Sequence, residues 1–416
     1  MAAPRQKEMN DRATVVATTT FAVVAVRCSG SDIAAFMIAP LDNEVMRQVA
    51  VEICERLRSH GHLAYFVGGC VRDTLLGIEP SDYDVATSAT PDVVLSLFEG
   101  AQAVGAHFGV VLWHGVEIAT FRSDGEYWDA RHPSTVTFET TPKRDAMRRD
   151  FTINAMFMDP STGEILDYHG GQEDLRTRVL TTVGSPYKRL KEDRLRVLRA
   201  VRFAAQFEMN IDGALFDAMR EYAEELDEIS IERIRDEYTK ILTEGHAKTG
   251  FYWLSAIGLN PISEEVSNML GAMNQPSLEL ALAVWLHAET DPEAELRRLR
   301  YPNAVVETVT SIARELPRFD GVRAMPRREL IRFVRQPFFA DLLELHRLRG
   351  GAEVNFCREA MQQELWPAPL INGEDVMAAG VPEGPEVGRL LRRVEDAQLD
   401  RQITTKDEAL ALILGC

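Results

Sequence analysis

The chain predicts an α+β fold whose C-terminal half is all α. Short apolar runs punctuated by glycine fill residues 63–183, among them Val110–Trp113 and residues 116–121 on either side of Gly115. Runs of that kind read as strands and hairpins. Beyond Ser185 the apolar spacing changes to 3, 4 and 7, as in Leu195, Leu198 and Ala205, then Ile231, Ile234, Tyr238 and Ile241. That is the period of helices with one buried face. Beyond Ser185 no strand is expected, and from Gly245 onward Pro261, Pro276, Pro302, Pro317, Pro326, Pro337, Pro367 and Pro382 divide helical stretches.

At 416 residues with 45% hydrophobic content, the chain exceeds what one core supports, so several domains are expected. The changes of period divide it into an extension at 1–40, a strand-rich unit at 41–183, a helical segment at 184–245 and a helical remainder at 246–416. Residues 13–26 are apolar and threonine-rich, but they fall short of the roughly twenty needed to span a bilayer. Glu8 and Asp11 sit where a secretory leader would carry positive charge. The extension is read as poorly ordered, or as an upstream assignment with initiation near Met37 or Met46, and no membrane partner is expected.

Cys28, Cys54, Cys70, Cys357 and Cys416 are odd in number and form no Cys-x-x-Cys pair, which points to a reducing compartment, the cytoplasm. None of the nine histidines clusters with cysteines or carboxylates, so a structural zinc site is not expected. Cys70 reads as a small buried hydrophobe rather than a nucleophile. Oligomeric state is not legible.

The chemistry concentrates between residues 63 and 87. Residues 63–67 are apolar and run into Gly68-Gly69, the pattern of a buried strand ending in a tight turn, and 71–76 then read as a short helix stopped by Gly77. Glycines beside a helix start leave backbone amides bare, a seat for a triphosphate, with Arg72 in reach to neutralise it. Asp82 and Asp84 follow, and carboxylates at i and i+2 on a strand share one face. Mg2+ takes oxygen ligands, commonly one or two carboxylates together with phosphate oxygens. A lone Asp-x-Asp reads more simply as an acidic strand end; the ordered set is far more specific.

Gly68-Gly69-Cys70-Val71-Arg72-Asp73, then Pro80-Ser81-Asp82-Tyr83-Asp84-Val85-Ala86-Thr87, then Arg148-Arg149-Asp150-Phe151-Thr152-Ile153-Asn154-Ala155-Met156 together resemble the class II tRNA nucleotidyltransferase and bacterial poly(A) polymerase family. The likeness continues through residues 167–175, 192–203 and 231–237. It implies a polymerase-beta-like nucleotidyltransferase head at 41–183, a helical neck at 184–245 with a base-reading helix, and a helical body and tail that bind tRNA. It further implies catalytic Asp82 and Asp84 holding Mg2+, ATP and CTP as substrates, and addition of CMP and AMP to the 3′ end of tRNA with release of pyrophosphate. Gly69, Arg72, Arg149, Arg199 and Arg202 fall at nucleotide-binding positions, residues 122–138, with Tyr127, Asp129, Arg131 and Pro133, at a loop, and residues 167–175 at a hinge. The same motifs serve poly(A) polymerases, which act on other RNA 3′ ends, and enzymes adding only CC or only A; these alternatives stay open. A noncatalytic tRNA-binding module would not need the paired carboxylates, and an antibiotic-modifying nucleotidyltransferase would not need the long helical half.

Base choice without a nucleic-acid template needs a protein reader. Asp193 and Arg196 are predicted at i and i+3 of one helix, hence on one face. The carboxylate accepts from the exocyclic amine of C or A, while G and U present a carbonyl there; the guanidinium donates to ring acceptors. Asp150 and Asn154 carry donors and acceptors suited to a ribose 2′-hydroxyl. Glu117 reads as either a third carboxylate or half of an ion pair.

The net charge of −18 argues against a nucleic-acid partner until its distribution is considered. Residues 141–207 hold thirteen Lys or Arg against nine Asp or Glu, so this segment is +4 and the rest −22. A local basic surface still attracts phosphates over about 8 Å at physiological salt. In the tail, a glycine-rich turn at 370–388 opens a helix expected to end at Arg389, Arg392 and Arg393, a phosphate site or a packing turn.

Overall fold

The computed structural model describes residues 43–105, 109–125, 133–362 and 367–415, together with the backbone of three earlier strands. Those strands, β1 (Val15–Thr18), β2 (Phe21–Val26) and β3 (Ala35–Pro40), pair as an antiparallel sheet. The extension expected to be poorly ordered therefore carries strands at its described positions, and its valine, phenylalanine, isoleucine and threonine content favours extended backbone. The chain forms two compact units, residues 1–230 and 231–416, so the division falls inside the helical segment expected at 184–245.

In the first unit, α1 (Asn43–Ser59) buries Met46, Ala50, Ile53, Cys54 and Leu57 along one stripe. β4 (Ala64–Val67) enters the glycine turn, α2 (Gly69–Leu76) leaves it, and β5 (Asp84–Thr87) returns antiparallel to β4. α2 begins at Gly69 and stops at Gly77, which adopts the left-handed conformation that ends helices (φ 70°). Then come α3 (Pro91–Leu97), β6 (Gln102–Gly105), β7 (Val110–Trp113) and β8 (Val116–Thr120). The β7–β8 hairpin closes through His114 and Gly115, both at positive φ (47° and 85°), as two-residue hairpin turns require.

β9 (Arg122–Asp124) and β10 (Val136–Phe138) form a separate antiparallel pair, and α4 (Pro142–Ala146) follows. The stretch expected as a polar loop is thus rooted in a hairpin; Tyr127, Asp129 and Arg131 lie outside the described residues. β11 (Phe157–Met158) and β12 (Ile165–Leu166) complete a seven-stranded sheet in the order β12-β11-β4-β5-β8-β7-β6, with β5 and β8 parallel. Val67, Ala86, Phe121 and Phe157 cluster with Ala146 of α4. Phe66 and Val85, at alternate positions, face the other way.

After α5 (Gly171–Thr177), β13 (Val179–Leu180) and α6 (Pro186–Glu192), α7 (Arg196–Gln206) buries most of its length, from Val197 to Ala205. β14 (Asn210–Ile211) pairs in parallel with β13, so a strand does occur beyond Ser185, too short to leave a period in the sequence. α8 (Gly213–Tyr222) is capped by the Asp212 carboxylate.

The second unit is helical throughout its described residues. Its first helix, α9 (Ile231–Thr243), buries Ile234, Tyr238 and Ile241. Ile371, Val376, Val394, Ala397, Ile403 and Ala409 make a separate small core near its end. The tail helix Pro385–Leu399 continues past the point expected, because Leu391, Val394 and Ala397 still face that core. Arg389, Arg392 and Arg393 are therefore mid-helix, and Arg389 pairs with Glu386 one turn back.

Two glycines separate close packing from mere flexibility. A Cβ at Gly171 would lie 2.4 Å from the Thr152 carbonyl oxygen, whereas one at Gly213 would meet no atom within 4 Å. Gly171→Ala should destabilise the first unit by about 1–3 kcal/mol through forced separation of backbone segments. Gly213→Ala should be neutral or stabilising by up to about 1 kcal/mol, both read from urea unfolding midpoints.

Candidate active site

Val67 stands opposite Asp84 in the β4–β5 register, so the glycine turn opens where the acidic strand begins. Gly68 has φ 77°. A Cβ there would sit 3.4 Å from Arg149 Nη1, and one at Gly69 would sit 3.5 Å from Arg72 Nη2. Two guanidinium groups therefore border the turn. Arg72 is 8% exposed and donates through Nη1 to Asn154 Oδ1 at 2.8 Å and through Nε to Asp73 Oδ1 at 2.8 Å. Its guanidinium lies 4.4 Å from the Phe207 ring centroid and 5.3 Å from that of Phe203, within cation–π range.

Asn154 and Asp150 continue the network. Asn154 Nδ2 donates to Asp150 Oδ1 at 3.3 Å, and Asp150 Oδ2 accepts from Arg199 Nε at 3.0 Å and Nη2 at 2.6 Å. The Phe151 backbone N–H also donates to Asp150 Oδ1, at 2.8 Å. Burial alone would raise this carboxyl's pKa, but the charges of Arg199 and Arg196 and the hydrogen bonds outweigh it and hold it well below the ordinary range. Arg202 is buried and lies over the Phe203 ring at 4.2 Å. Gly69, Arg72, Arg149, Asp150, Asn154, Arg199 and Arg202 are thus gathered in one region. The Asp150 carboxylate, read from sequence as a ribose partner, here holds Arg199.

Asp84 begins β5, and Asp82 precedes the strand by two residues. Tyr83 between them is buried, edge-on to Phe66 at 5.3 Å; Asp82 is exposed and Asp84 half-buried. Pairing of Val85 with Ile118 sets Asp84 beside Glu117 of β8. Burial first, then the negative charges of Asp82 and Glu117, push the Asp84 carboxyl up to about 7 against the opposing charge of Arg149. Crowded hard-oxygen donors that resist ionisation fit a divalent cation, whose charge would relieve the repulsion. Among the described residues no group of three His, Cys, Asp or Glu is set to hold a metal, so the fit rests on Asp82 and Asp84. Burial pushes the neighbouring Cys70 thiol up to about 12, which rules out thiolate nucleophilicity at neutral pH.

Asp193 and Arg196 are not on one continuous helix. α6 ends at Glu192, the backbone of Asp193 after it is extended (φ −151°), and α7 starts at Arg196. The Asp193 carboxylate accepts the Leu195 N–H at 3.0 Å, a local bond that competes with helix continuation. Arg196 is buried and donates through Nη1 to Glu192 Oε2 at 2.8 Å and to the Arg189 carbonyl at 2.7 Å. At the expected hinge, Asp167 Oδ1 accepts three successive backbone N–H groups, of His169, Gly170 and Gly171, at 2.9–3.1 Å, closing the start of α5.

Sequence reasoning passed over Asp145, which accepts from both Arg148 and Arg149. Its signal was the i,i+3 and i,i+4 spacing to those arginines. It also passed over the stacked Phe203 and Phe207 rings, 6.1 Å apart, beneath Arg72.

Because the Asp150 pKa is depressed in the fold, its contribution is present above the unfolded value of about 3.9 and is lost as pH falls below it. Asp150→Asn should therefore cost about 2 kcal/mol at pH 5–8. The gap from the parent should narrow below pH 4, as pH-dependent urea unfolding would read.

Residues 64–181 match the family described as "Poly A polymerase head domain", residues 208–268 that described as "Probable RNA and SrmB- binding site of polymerase A", and residues 277–414 tRNA nucleotidyltransferase domain 2. The chain is 34% identical over 392 residues to the CCA-adding enzyme of Geobacillus stearothermophilus, covering 87% of this chain and 95% of that one. Identity to the CCA-adding enzyme of Bacillus cytotoxicus is 30% over 379 residues, 86% and 95% of the two chains. The fold is similar to the crystal structure of the Bacillus stearothermophilus CCA-adding enzyme in complex with CTP, at a TM-score of 0.76 and 30% identity over 88% of this chain and 96% of that one. With its motifs, its sheet and its helical half all accounted for, the chain belongs to the CCA-adding enzyme family of tRNA nucleotidyltransferases.

Proposed function

We propose that this protein adds CMP and AMP to the 3′ end of tRNA, releasing pyrophosphate, in the cytoplasm. The observation that carries the reading is the placement of Asp84, on β5, directly opposite Val67, the β4 residue that enters the Gly68-Gly69 turn. That pairing puts acidic oxygens and a basic, amide-lined turn at the same strand end. Its relatives are CCA-adding enzymes, and solved structures of such enzymes hold CTP, ATP and tRNA. Cys54, Cys70 and Cys357 are free and buried, in keeping with a reducing compartment.

In this reading the amide at the start of α2 and the guanidiniums of Arg72 and Arg149 receive the triphosphate. Asn154, fixed between Arg72 and Asp150, orients the sugar. Arg199 and Arg202 keep the neck side of the site positive. Asp82 and Asp84 are the residues that would hold Mg2+, which would supply charge stabilisation at the reacting phosphate and activation of the acceptor hydroxyl. The acceptor 3′-oxygen attacks the α-phosphate, and the bond to pyrophosphate breaks.

Asp193 and Arg196 are proposed as the base reader, on a helix break rather than a helix face. The break leaves the Asp193 side chain at the junction of α6 and α7 instead of locked into a helical row. Incubation with tRNAs lacking the last one, two or three nucleotides and each labelled NTP tests the function. CMP then AMP addition in order supports it; runs of AMP on varied RNAs would make the chain a poly(A) polymerase, and a single product would make it a partial enzyme.

Asp82→Ala and Asp84→Ala should each lower turnover by at least 1000-fold while tRNA affinity stays near the parent's; turnover within tenfold of the parent in both would remove the carboxylates from the chemistry. For base choice, changing Asp193 and Arg196 together to alanine should raise incorporation of UTP or GTP relative to CTP and ATP in single-nucleotide assays. An unaltered preference would place base reading on other residues.

A further inference from the structure

We infer that Asp145 is a positioning residue that holds the Arg149 guanidinium against the glycine turn and ties it to the root of the β9–β10 hairpin. The inference rests on the nucleotide-transfer reading above. Asp145 lies near the end of α4, three residues before Arg148 and four before Arg149, the spacing at which side chains on a helical turn meet. It is 1% exposed. Its oxygens point inward to named donors: Oδ2 accepts from Arg149 Nη2 at 2.9 Å and Nε at 3.1 Å, and Oδ1 accepts from Arg148 Nε at 2.8 Å and the Arg122 backbone N–H at 3.2 Å.

Those contacts leave Arg149 little freedom. A carboxylate oxygen shared by Nε and Nη2 fixes the plane of the guanidinium as well as its place. The remaining nitrogen, Nη1, donates to the Asn154 carbonyl at 3.3 Å and borders Gly68. Phe157 supports the other side, 5.3 Å from the guanidinium carbon. Arg122, whose N–H completes the set, is the first residue of β9 and pairs with Phe138 at the end of β10. One buried carboxylate thus joins the hairpin root and the arginine that borders the glycine turn. Burial would push the Asp145 carboxyl up, but Arg149 and Arg148 override it and keep it ionised.

Asp145→Asn keeps the side-chain size and the acceptor for Arg122 but removes the charge and one acceptor facing the arginines. Its kcat/KM for CTP and ATP should fall together, by about 100-fold at most, with the ratio of CTP to UTP use and tRNA affinity unchanged. The deciding comparison is made on an Arg149→Met background. There, adding Asp145→Asn should alter kcat/KM less than about twofold, because the carboxylate acts through the arginine already removed. A further loss of tenfold or more, or failure of the double variant to fold where Arg149→Met folds, would overturn the inference. CTP binding followed by calorimetry, without turnover, should weaken in Asp145→Asn and Arg149→Met alike. A parent chain that transfers no nucleotide would count against the proposed function, and CTP binding would still report whether Asp145 positions Arg149.

Discussion

The antiparallel register that sets Val67 opposite Asp84 is the constraint on which the site depends. Strand side chains alternate, so a slip of one residue would turn Asp84 into the layer of Phe66 and Val85 and bring an apolar side chain to the glycine turn. Packing forbids the slip. Phe66 meets Tyr83 edge-on, and Phe157, opposite Val67 on the far side of β4, meets Tyr65 and Phe121 edge-on. These rings are buried or nearly so, and each pair adds roughly 0.5–1.5 kcal/mol beyond burial. The apolar layers therefore hold a carboxylate whose ionisation its surroundings resist.

Beside that strand the chain gathers arginines that are buried, as Arg72, or half-buried, as Arg149 and Arg199, with a polar partner for each. Arg72 is met by Asp73 and Asn154, Arg149 by Asp145, and Arg199 by Asp150. Removing one member of such a pair leaves an uncompensated charge, which costs far more than the pair contributes. The network is thus a weak source of stability and a strong source of geometry. Its connections run from α2 through the 152–154 turn to α7.

Much of this was legible in residues 63–87 and 148–156, where turn glycines, alternating strand positions and acidic pairs leave local signatures. Gly77 ends α2 and Gly115 closes the β7–β8 hairpin because their positive φ values suit glycine. The break at Asp193 was hidden: the apolar positions run straight across it, since Leu190 before it and Leu198 after it are both buried, and only a side chain's bond to its own backbone decides the matter. The β13–β14 pair, two residues long on each strand, carries too few positions for a period. Asp145 was hidden differently. Its spacing to Arg148 and Arg149 looks like any surface ion pair, and its 1% exposure comes from the sheet and hairpin that close over it.

Pairing also changes what the basic segment can offer a polyanion. Of the thirteen cations in residues 141–207, Arg148, Arg149, Arg176, Arg189, Arg194, Arg196 and Arg199 make ion pairs within the fold. Their charge is largely spent on internal order. Lys143 and Arg144 on α4, with Lys188 and Lys191 on α6, are exposed. Each phosphate contact made by such a side chain contributes a salt-dependence slope of about −0.7 on single strands and −0.9 on duplex. An acidic chain can therefore hold RNA by a few exposed lysines and arginines while the remaining acidic surface repels it.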